Sequence, residues 1–339
     1  MEICIGTSKG VVIVNPLRPS APVMVLADPF SVWCMALDGG RETTIYAGAV
    51  DHRHLGCSRG RSSLARSTDR GRSWSDITPA LARDEDVWAL AAVPGRPGDL
   101  CIGTSQGRLL RSRDSGRSFA ESAAFAAVLR PEPRPFATAP HNSRVRSIVF
   151  DRNSPSTFYL GVQPGGVFRS TDDGRSFERL NRGLAGDIQA LAVEPNEPGR
   201  LYAATSRGLF VSDSHASRWR HAACGSCECY GVALFASPFE PALFAATAAG
   251  PPSTWQARTS APGPKLLRST DGANTFSEIA QPHGPIRGVT MKLRGDPANP
   301  YEVLSVSSDG TLARTTDRGL NLLPLAQALP PAFDFVALP

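Results

Sequence analysis

Short apolar stretches separated by turn residues recur along the whole chain, and each has the length of a β-strand. Two segments show the arrangement clearly: VWALAAVPGRPGDLCIGTSQGRLLRS at 87–112 and IQALAVEPNEPGRLYAATSRGLFVS at 188–212. Each indicates three strands joined by two turns rich in Gly, Pro and Ser. Comparable first strands begin near Val32, Val87, Val145, Ile188, Tyr230 and Ile286. The pattern predicts an all-β chain made of one repeated unit.

A second pattern follows the third strand of these units. RSTDRGRSW ends at Trp74, RSRDSGRSF at Phe119 and RSTDDGRSF at Phe177, so all three fit S-x-D-x-G-x-[ST]-[WF]. An Asp side chain can accept hydrogen bonds from amides of its own turn, and Gly permits a positive φ. Weaker copies occur at 212–219, 269–276 and 315–322. The pattern predicts a tight turn between the third and fourth strands of each unit.

This turn resembles the Asp-box, or BNR repeat, which in its families joins the last two strands of a β-propeller blade. Those families include sialidases, xyloglucan-cleaving glycosidases, sortilin-type receptors and photosystem assembly factors. The resemblance implies a β-propeller of the kind found in the sialidase superfamily and in photosystem assembly factors. It implies no activity, because the box is a turn and carries no chemistry.

The two ends of the chain complete one more unit. The chain ends FDFVALP at 333–339 and begins MEICIGTSKGVVIV at 1–14, and together these stretches reproduce the repeated pattern. We therefore predict one domain over 1–339, a seven-bladed β-propeller of four-stranded antiparallel blades, closed by pairing of the C-terminal inner strand with the N-terminal strands. The predicted blades are 333–339 with 1–29, and about 30–79, 86–125, 144–184, 187–221, 229–281 and 286–328.

Composition agrees with many short strands and turns, since 41% of the residues are hydrophobic and the chain has 31 Gly and 29 Pro. No apolar run of 18 residues occurs, and Met1 begins a strand with no signal sequence before it. We therefore expect a cytoplasmic protein that does not bind membranes. Its seven cysteines should be reduced, with Cys4 and Cys101 packed at equivalent strand positions.

The net charge of +5 raises the question of nucleic-acid binding. Only three of the 36 basic residues are Lys, and many Arg recur beside the repeated turns all around the predicted ring. A nucleic-acid site requires clustered positive charge, usually with interleaved aromatic residues. The sequence argues against a nucleic-acid partner.

The longest loops are predicted to open on one face of the propeller, where strands two and three are joined and where successive blades are joined. Variable loops on a rigid scaffold are the usual place for recognition. The long loops are 51–63, 120–143, 221–229 and 248–265, and five of the six histidines lie on the same face. These are His52, His54, His141, His221 and His283.

Two sets of residues are candidates for a metal site, and the sequence specifies no certain cofactor. His221, Cys224, Cys227 and Cys229 contain the C-x2-C spacing that lets two thiolates bind one zinc ion. His52, His54, His141 and His283 could bind a divalent ion only by converging on the central axis. The alternatives are a thiol-rich loop without metal and histidines scattered along the rim.

The starts of the innermost strands should surround the mouth of the central channel on the same face. Their indoles, guanidiniums and carboxylates suit an anionic or sugar-like ligand. Alternatively, the two Trp side chains pack between blades as ordinary core. The candidate residues are Trp33, Trp88, Arg144, Arg146, Asp187, Gln189, Tyr230, Arg287 and Asp334.

Sialidase activity is not expected, because the chain has no Arg-Ile-Pro motif and only Tyr230, near Glu228, could be a nucleophile. The other tyrosines are assigned to a repeated second-strand position: Tyr46, Tyr159, Tyr202 and Tyr301. No pair of carboxylates indicates a glycosidase. We expect a non-catalytic cytoplasmic propeller that binds a protein partner or a small anionic or sugar-like ligand on the loop-rich face. The alternative is a metal-dependent hydrolase or lyase with a His-lined site at the same channel mouth.

Overall fold

A computed structural model shows seven four-stranded antiparallel sheets arranged in a ring. It describes residues 1–16, 22–27, 31–40, 43–50, 64–82, 85–129, 143–222, 229–252 and 264–338. The innermost strand of each blade lines the central channel. These strands are β4 (Ser31–Gly39), β8 (Val87–Ala92), β12 (Arg144–Phe150), β16 (Ile188–Val193), β20 (Tyr230–Ala236), β24 (Thr290–Asp296) and β28 (Ala332–Leu338).

Three further strands pack outward from each inner strand. The second strands are β1 (Glu2–Thr7), β5 (Thr43–Val50), β9 (Leu100–Thr104), β13 (Phe158–Gln163), β17 (Leu201–Thr205), β21 (Leu243–Ala248) and β25 (Asn299–Ser307). The third strands are β2 (Gly10–Val14), β6 (Leu64–Ser67), β10 (Leu109–Ser112), β14 (Gly166–Ser170), β18 (Gly208–Ser212), β22 (Lys265–Ser269) and β26 (Leu312–Thr316). The outer strands are β3 (Val23–Ala27), β7 (Ser75–Asp76), β11 (Ala120–Glu121), β15 (Glu178–Arg179), β19 (Arg220–His221), β23 (Ser277–Glu278) and β27 (Asn321–Ala326).

The ring closes between the two ends of the described chain. Strand β28 pairs antiparallel with β1, so that Val336 lies opposite Cys4 and Phe335 opposite Ile5. Each inner strand contacts the inner strands of both neighbouring blades. The predicted seven-bladed β-propeller and its mode of closure are confirmed. The described part contains one helix, α1 (Ala123–Val128), and no helix long and apolar enough to cross a membrane.

The core lies between the faces of adjacent blades. In one cluster, Tyr46 and Leu64 of the first blade pack against Leu100 and Ile102 of the second. The blades approach each other most closely at small residues of the second strands. A Cβ added to Gly103 would lie 2.5 Å from Val145 Cγ1 of the next blade, which is too close for any side chain. The expected packing of Cys4 is observed, since it is fully buried and burial raises its pKa to about 12.

Two details of the predicted strands are wrong. The sixth inner strand begins at Thr290 and not near Ile286, because the Val289 amide donates to Ser308 Oγ at 2.9 Å and not to a strand partner. Tyr301 does not share the position of the other second-strand tyrosines, because it is 39% exposed with the Arg318 guanidinium over its ring. Leu304 occupies that position, opposite Arg314.

The repeated turns between third and fourth strands share one set of hydrogen bonds. In the first, Asp69 Oδ1 accepts from the Ser73 amide at 2.8 Å and Asp69 Oδ2 from Ser73 Oγ at 2.6 Å. Ser67 Oγ donates to Asp69 Oδ1 and accepts from the Gly71 amide. The turns at Asp114, Asp172 and Asp271 repeat these contacts. The hydrogen bonds from Ser or Thr lower the pKa of all four carboxyl groups to about 2.

The arginines beside these turns join adjacent blades. Arg66 Nη1 donates to the Ser115 carbonyl of the next blade at 3.0 Å, and Arg111 Nη1 donates in the same way to the Asp173 carbonyl at 3.0 Å. Arg169 repeats the contact with the carbonyl of His215. The recurrence of Arg at these three positions therefore has a structural cause, since each of the three guanidiniums satisfies a carbonyl in the neighbouring turn.

Candidate functional site

The end of the ring where the inner strands begin is here called the loop face. It is held rigid by a repeated serine in the turn between strands two and three. The Ser105 amide donates to the Asp86 carbonyl at 2.9 Å, and Ser105 Oγ accepts from the Asp86 amide at 2.8 Å. Ser206 makes the same two bonds with Asp187 in the fourth blade. The inner strands of these two blades therefore start from positions fixed by their own blades.

Every inner strand has an extra residue at the same place, two or three residues into the strand. In β4, Val32 pairs with Ala49 and Cys34 with Gly48, so Trp33 is the extra residue at a shift in the strand register. A β-bulge of this kind redirects a side chain and is common beside active sites. The seven extra residues at these bulges form what we call the bulge ring: Trp33, Trp88, Arg146, Gln189, Val232, Met291 and Phe333.

The bulge ring surrounds a cavity of about 140 Å³ in the channel at the loop face. All seven of its side chains contribute to the wall, with Lys292 and Asp334 beside them. Four of the residues predicted from sequence are members of the ring: Trp33, Trp88, Arg146 and Gln189. Both Trp side chains therefore line the channel, which favours the ligand-binding interpretation over packing between blades.

Three consecutive blades contribute aromatic rings to one side of the cavity. The rings of Trp33 and Phe333 are stacked, with centroids 4.2 Å apart and planes inclined by 16°. Trp88 lies 5.3 Å from Trp33, tilted by 56°. Trp33 Nε1 donates to Ser31 Oγ at 2.9 Å, whereas Trp88 Nε1 is buried and has no hydrogen-bond partner among the described residues. Such an aromatic surface suits the apolar face of a sugar ring.

Cationic groups follow the aromatic side around the ring. The Arg146 guanidinium lies 4.5 Å from the centroid of Trp88, with Arg144 at 5.2 Å from the same ring. Arg146 Nη2 donates to Gln189 Oε1 at 3.2 Å. Enclosure within the channel lowers the pKa of Arg146 to about 10, because desolvation disfavours its charge and Arg144 repels it.

Asp334 is a fixed part of the channel wall and not a free ligand-binding carboxylate. Its Oδ1 accepts from Arg294 Nη2 at 2.9 Å and from the Phe335 amide at 2.8 Å. Its Oδ2 accepts from the Met35 amide at 2.9 Å and lies 3.6 Å from Lys292 Nζ. Because these donors occupy both oxygens, we assign Asp334 a structural role.

The other predicted mouth residues have different surroundings. Tyr230 is 8% exposed and packs with Ala248 and Val289. The pKa of Tyr230 is raised, chiefly because the side chain is buried. The positive charge of Arg146 opposes this rise, and the negative charge of Asp187 adds to it. Arg287 is exposed and is not part of the cavity wall described above.

The metal candidates do not form a site within the described ranges, where no group of three or more His, Cys, Asp or Glu side chains could hold an ion. His221 ends the outer strand β19, with its ring edge against Phe210 at 5.1 Å. His283 is exposed in the loop before β24, and Cys229 is half-buried just before β20. The remaining candidates lie outside the described residues: His52, His54, His141, Cys224 and Cys227.

Sequence reasoning missed Phe333, Val232, Met291 and Lys292. The missing information was the bulge, because a simple alternation of inward and outward residues does not indicate which one points into the channel. Phe333 directly follows the buried Ala332, as Trp33 directly follows the buried Val32, so the two aromatic residues hold equivalent places in their inner strands.

Comparisons with known proteins identify similar enzymes. No protein-family profile matches the chain. The chain is 25% identical over 264 residues to a curated xyloglucanase from Hypocrea jecorina (strain QM6a), which corresponds to 76% of this chain and 27% of that protein. The alignment extends over less than a third of the curated relative.

Solved structures show the same fold. A GH74 xyloglucanase from Xanthomonas campestris superposes with a TM-score of 0.70 at 19% identity, covering 94% of this chain and 50% of that one. A GH74 enzyme from Niastella koreensis gives a TM-score of 0.70 at 16% identity, covering 93% of this chain and 50% of that one. The structure of YCF48 bound to D1 peptide gives a TM-score of 0.57 at 16% identity, covering 87% of this chain and 81% of that one. The chain spans about half the length of these GH74 proteins.

These relatives correct the functional expectation from sequence. The interpretation as a non-catalytic binding propeller, and the inclination against an enzyme, are wrong, since the curated relative is a xyloglucanase and several structural neighbours are GH74 enzymes. The alternative interpretation, a hydrolase, agrees better in kind.

Proposed function

We propose that this chain is the propeller of a glycoside hydrolase and that its glycan substrate lies over the bulge ring at the loop face. The similarity to a curated xyloglucanase is the observation that carries the proposal. The aromatic side of the ring supports it, because the stacked Trp33 and Phe333 and the adjacent Trp88 offer a surface for sugar rings.

Hydrolysis of a glycosidic bond requires two carboxyl groups, one to protonate the leaving oxygen and one to act as nucleophile or base. Asp86 and Asp187 immediately precede the inner strands of blades 2 and 4 and are held by matching bonds to Ser105 and Ser206. Asp187 also lies beside Gln189, whose Nε2 donates to the Asp187 carbonyl at 3.4 Å. We assign the two catalytic roles to Asp86 and Asp187, on either side of the Arg146 blade.

The turns at Asp69, Asp114, Asp172 and Asp271 are, in this proposal, Asp-boxes of the BNR type. Their shared hydrogen bonds satisfy the turn amides, and their short length keeps them apart from recognition. In this interpretation the face that carries the turns has a structural role, and substrate binding and hydrolysis take place at the loop face.

The test is the release of reducing ends from polysaccharides by the purified chain, with xyloglucan first and a panel of neutral and acidic glycans beside it. Replacing Asp187 or Asp86 with Asn should lower the rate about 100-fold or more, the usual effect of losing a general acid or base. Glu278→Gln, which changes an exposed carboxylate on an outer strand, is the matched control and should keep full activity. Absence of hydrolysis on every glycan, or full activity in both Asn variants, would refute the proposal.

A further inference from the structure

The bulge ring is divided into sides of different chemistry. Phe333, Trp33 and Trp88 come from three consecutive blades and form the aromatic side. Arg146 and Gln189 follow in the next two blades, and Lys292 lies beside the ring in the sixth. A ligand in this cavity meets an apolar surface on one side and cations on the other.

The polar groups of the cavity are mainly donors whose capacity is unused. Arg146 donates one hydrogen bond, to Gln189, and forms no ion pair with a described residue. Lys292 Nζ lies 3.6 Å from Asp334, to which Arg294 also donates at 2.9 Å.

The acceptors of the same cavity are already occupied. Gln189 Oε1 accepts from Arg146, and both oxygens of Asp334 accept from backbone amides or Arg294. The single negative charge of Asp334 is shared by Arg294 and Lys292, and Arg146 adds a third positive charge, so these four side chains leave the cavity with an excess of positive charge. Unused donors and excess positive charge favour an anionic, acceptor-rich ligand.

We propose that the bulge ring is a subsite for a sugar that carries a carboxylate, so that the glycan taken by this chain is acidic and contains uronic acid residues. The sugar ring packs against the aromatic side of the bulge ring, and the carboxylate accepts from Arg146 and Lys292. This inference rests on the proposed function in taking the ligand to be a glycan.

The charges of the two cations support the assignment. Lys292 keeps 41% of its side-chain surface exposed, but this surface faces the narrow channel, and desolvation there lowers its pKa. A bound carboxylate would replace the interactions that bulk water makes with an exposed ammonium group. The cavity of about 140 Å³ has space for roughly four to five waters at about 30 Å³ each, which is comparable to one sugar acid unit.

The test uses two disaccharides that differ only in the carboxylate, cellobiouronate and cellobiose, with inorganic phosphate as a third probe. Binding to the whole chain is measured by calorimetry and by quenching of tryptophan fluorescence. We expect cellobiouronate to bind at least 10-fold more tightly than cellobiose, and phosphate to compete only at much higher concentration. The variants are Arg146→Gln and Lys292→Met. The control is Arg207→Gln, which removes a positive charge from an exposed position on the same face.

The preference for the acidic sugar should fall to about 2-fold or less in either variant and persist in the control, with melting temperatures confirming that each protein is folded. Equal binding of the two disaccharides, or a preference unchanged in both variants, would overturn the inference. Strong phosphate binding without any preference for the acidic sugar would also overturn it, because the cavity would then be a site for free anions. Hydrolysis of neutral xyloglucan without this preference would support the proposed function and overturn the acidic subsite. Binding of the acidic sugar without hydrolysis of any glycan would support the subsite and refute the proposed function.

Discussion

The carboxylate of Asp334 accepts a hydrogen bond from the amide of Met35 at 2.9 Å, although the two residues are 299 positions apart in the chain. Asp334 lies in the inner strand of the closing blade, and Met35 lies in the inner strand of the next. Arg294, from the blade on the other side, donates to the same carboxylate and to the Met35 carbonyl. One buried side chain therefore connects three blades where the ring closes.

Replacing Asp334 with Asn should destabilise the propeller by about 2 to 4 kcal/mol, because Arg294 and Lys292 would lose their counter-charge in a largely enclosed channel. Urea unfolding monitored by circular dichroism measures the change. Asp213→Asn is a suitable control, since Asp213 is about half exposed and pairs with Arg200 and Arg220 away from the channel. A stability equal to that of the parent protein would show that the carboxylate does not connect the blades.

The four aspartate turns should make the protein lose stability in strong acid. Each carboxyl group has a folded pKa of about 2, below its ordinary value of 3.8. A lowered pKa contributes stability that is complete above the unfolded value and is lost as the pH falls through the folded one. The stability difference between the parent protein and Asp172→Ala should therefore be constant at neutral pH and shrink between about pH 4 and pH 2. A difference that does not change over this range would contradict the assigned hydrogen bonds.

A comparison of two glycines tests how closely the blades approach each other. A Cβ at Gly103 would lie 2.5 Å from Val145 Cγ1 and 3.1 Å from the Val145 carbonyl oxygen, whereas a Cβ at Gly39 would meet nothing within 4 Å. Gly103→Ala should cost about 1 to 3 kcal/mol, the usual scale for overpacking in a core. Gly39→Ala should be close to neutral. Chemical unfolding of both variants measures the contrast, and equal effects would argue against tight packing between these blades.

The fold could be predicted because it is repetitive. Seven similar strand patterns and a conspicuous turn, such as the one closed by Asp69 and Ser73, indicate both the blade and the number of blades. Closure could be inferred because the stretches around Phe335 and Ile5 complete one unit. These features depend on residues that are close in sequence, or on a pattern that many units share.

The site could be predicted only in part, because it depends on contacts between blades. The sequence identifies Trp33 and Arg146 as side chains near the channel mouth, but it also predicts ligand binding by Asp334, whose carboxylate accepts from Arg294 and the Met35 amide. The ion pair spans 40 residues and the amide contact 299, so neither leaves a local signal. The β-bulge that turns Phe333 into the channel is likewise visible only once the strand pairing is known.

The two indoles of the bulge ring provide the last test, because only one of them has a free N–H group among the described residues. Trp88 Nε1 is buried without a partner, whereas Trp33 Nε1 donates to Ser31 Oγ at 2.9 Å. Replacing Trp88 with Phe keeps an aromatic ring and removes the unpartnered donor, so the free energy of unfolding should change little or increase. Trp33→Phe removes a donor that is in use and should cost about 0.5 to 1.5 kcal/mol. Both variants keep an aromatic ring in the cavity wall, so each should leave the preference for cellobiouronate over cellobiose unchanged. Chemical unfolding measures the stabilities and calorimetric titration with the two sugars measures the preference, and a Trp88→Phe variant that loses the preference would place the indole N–H in the carboxylate subsite.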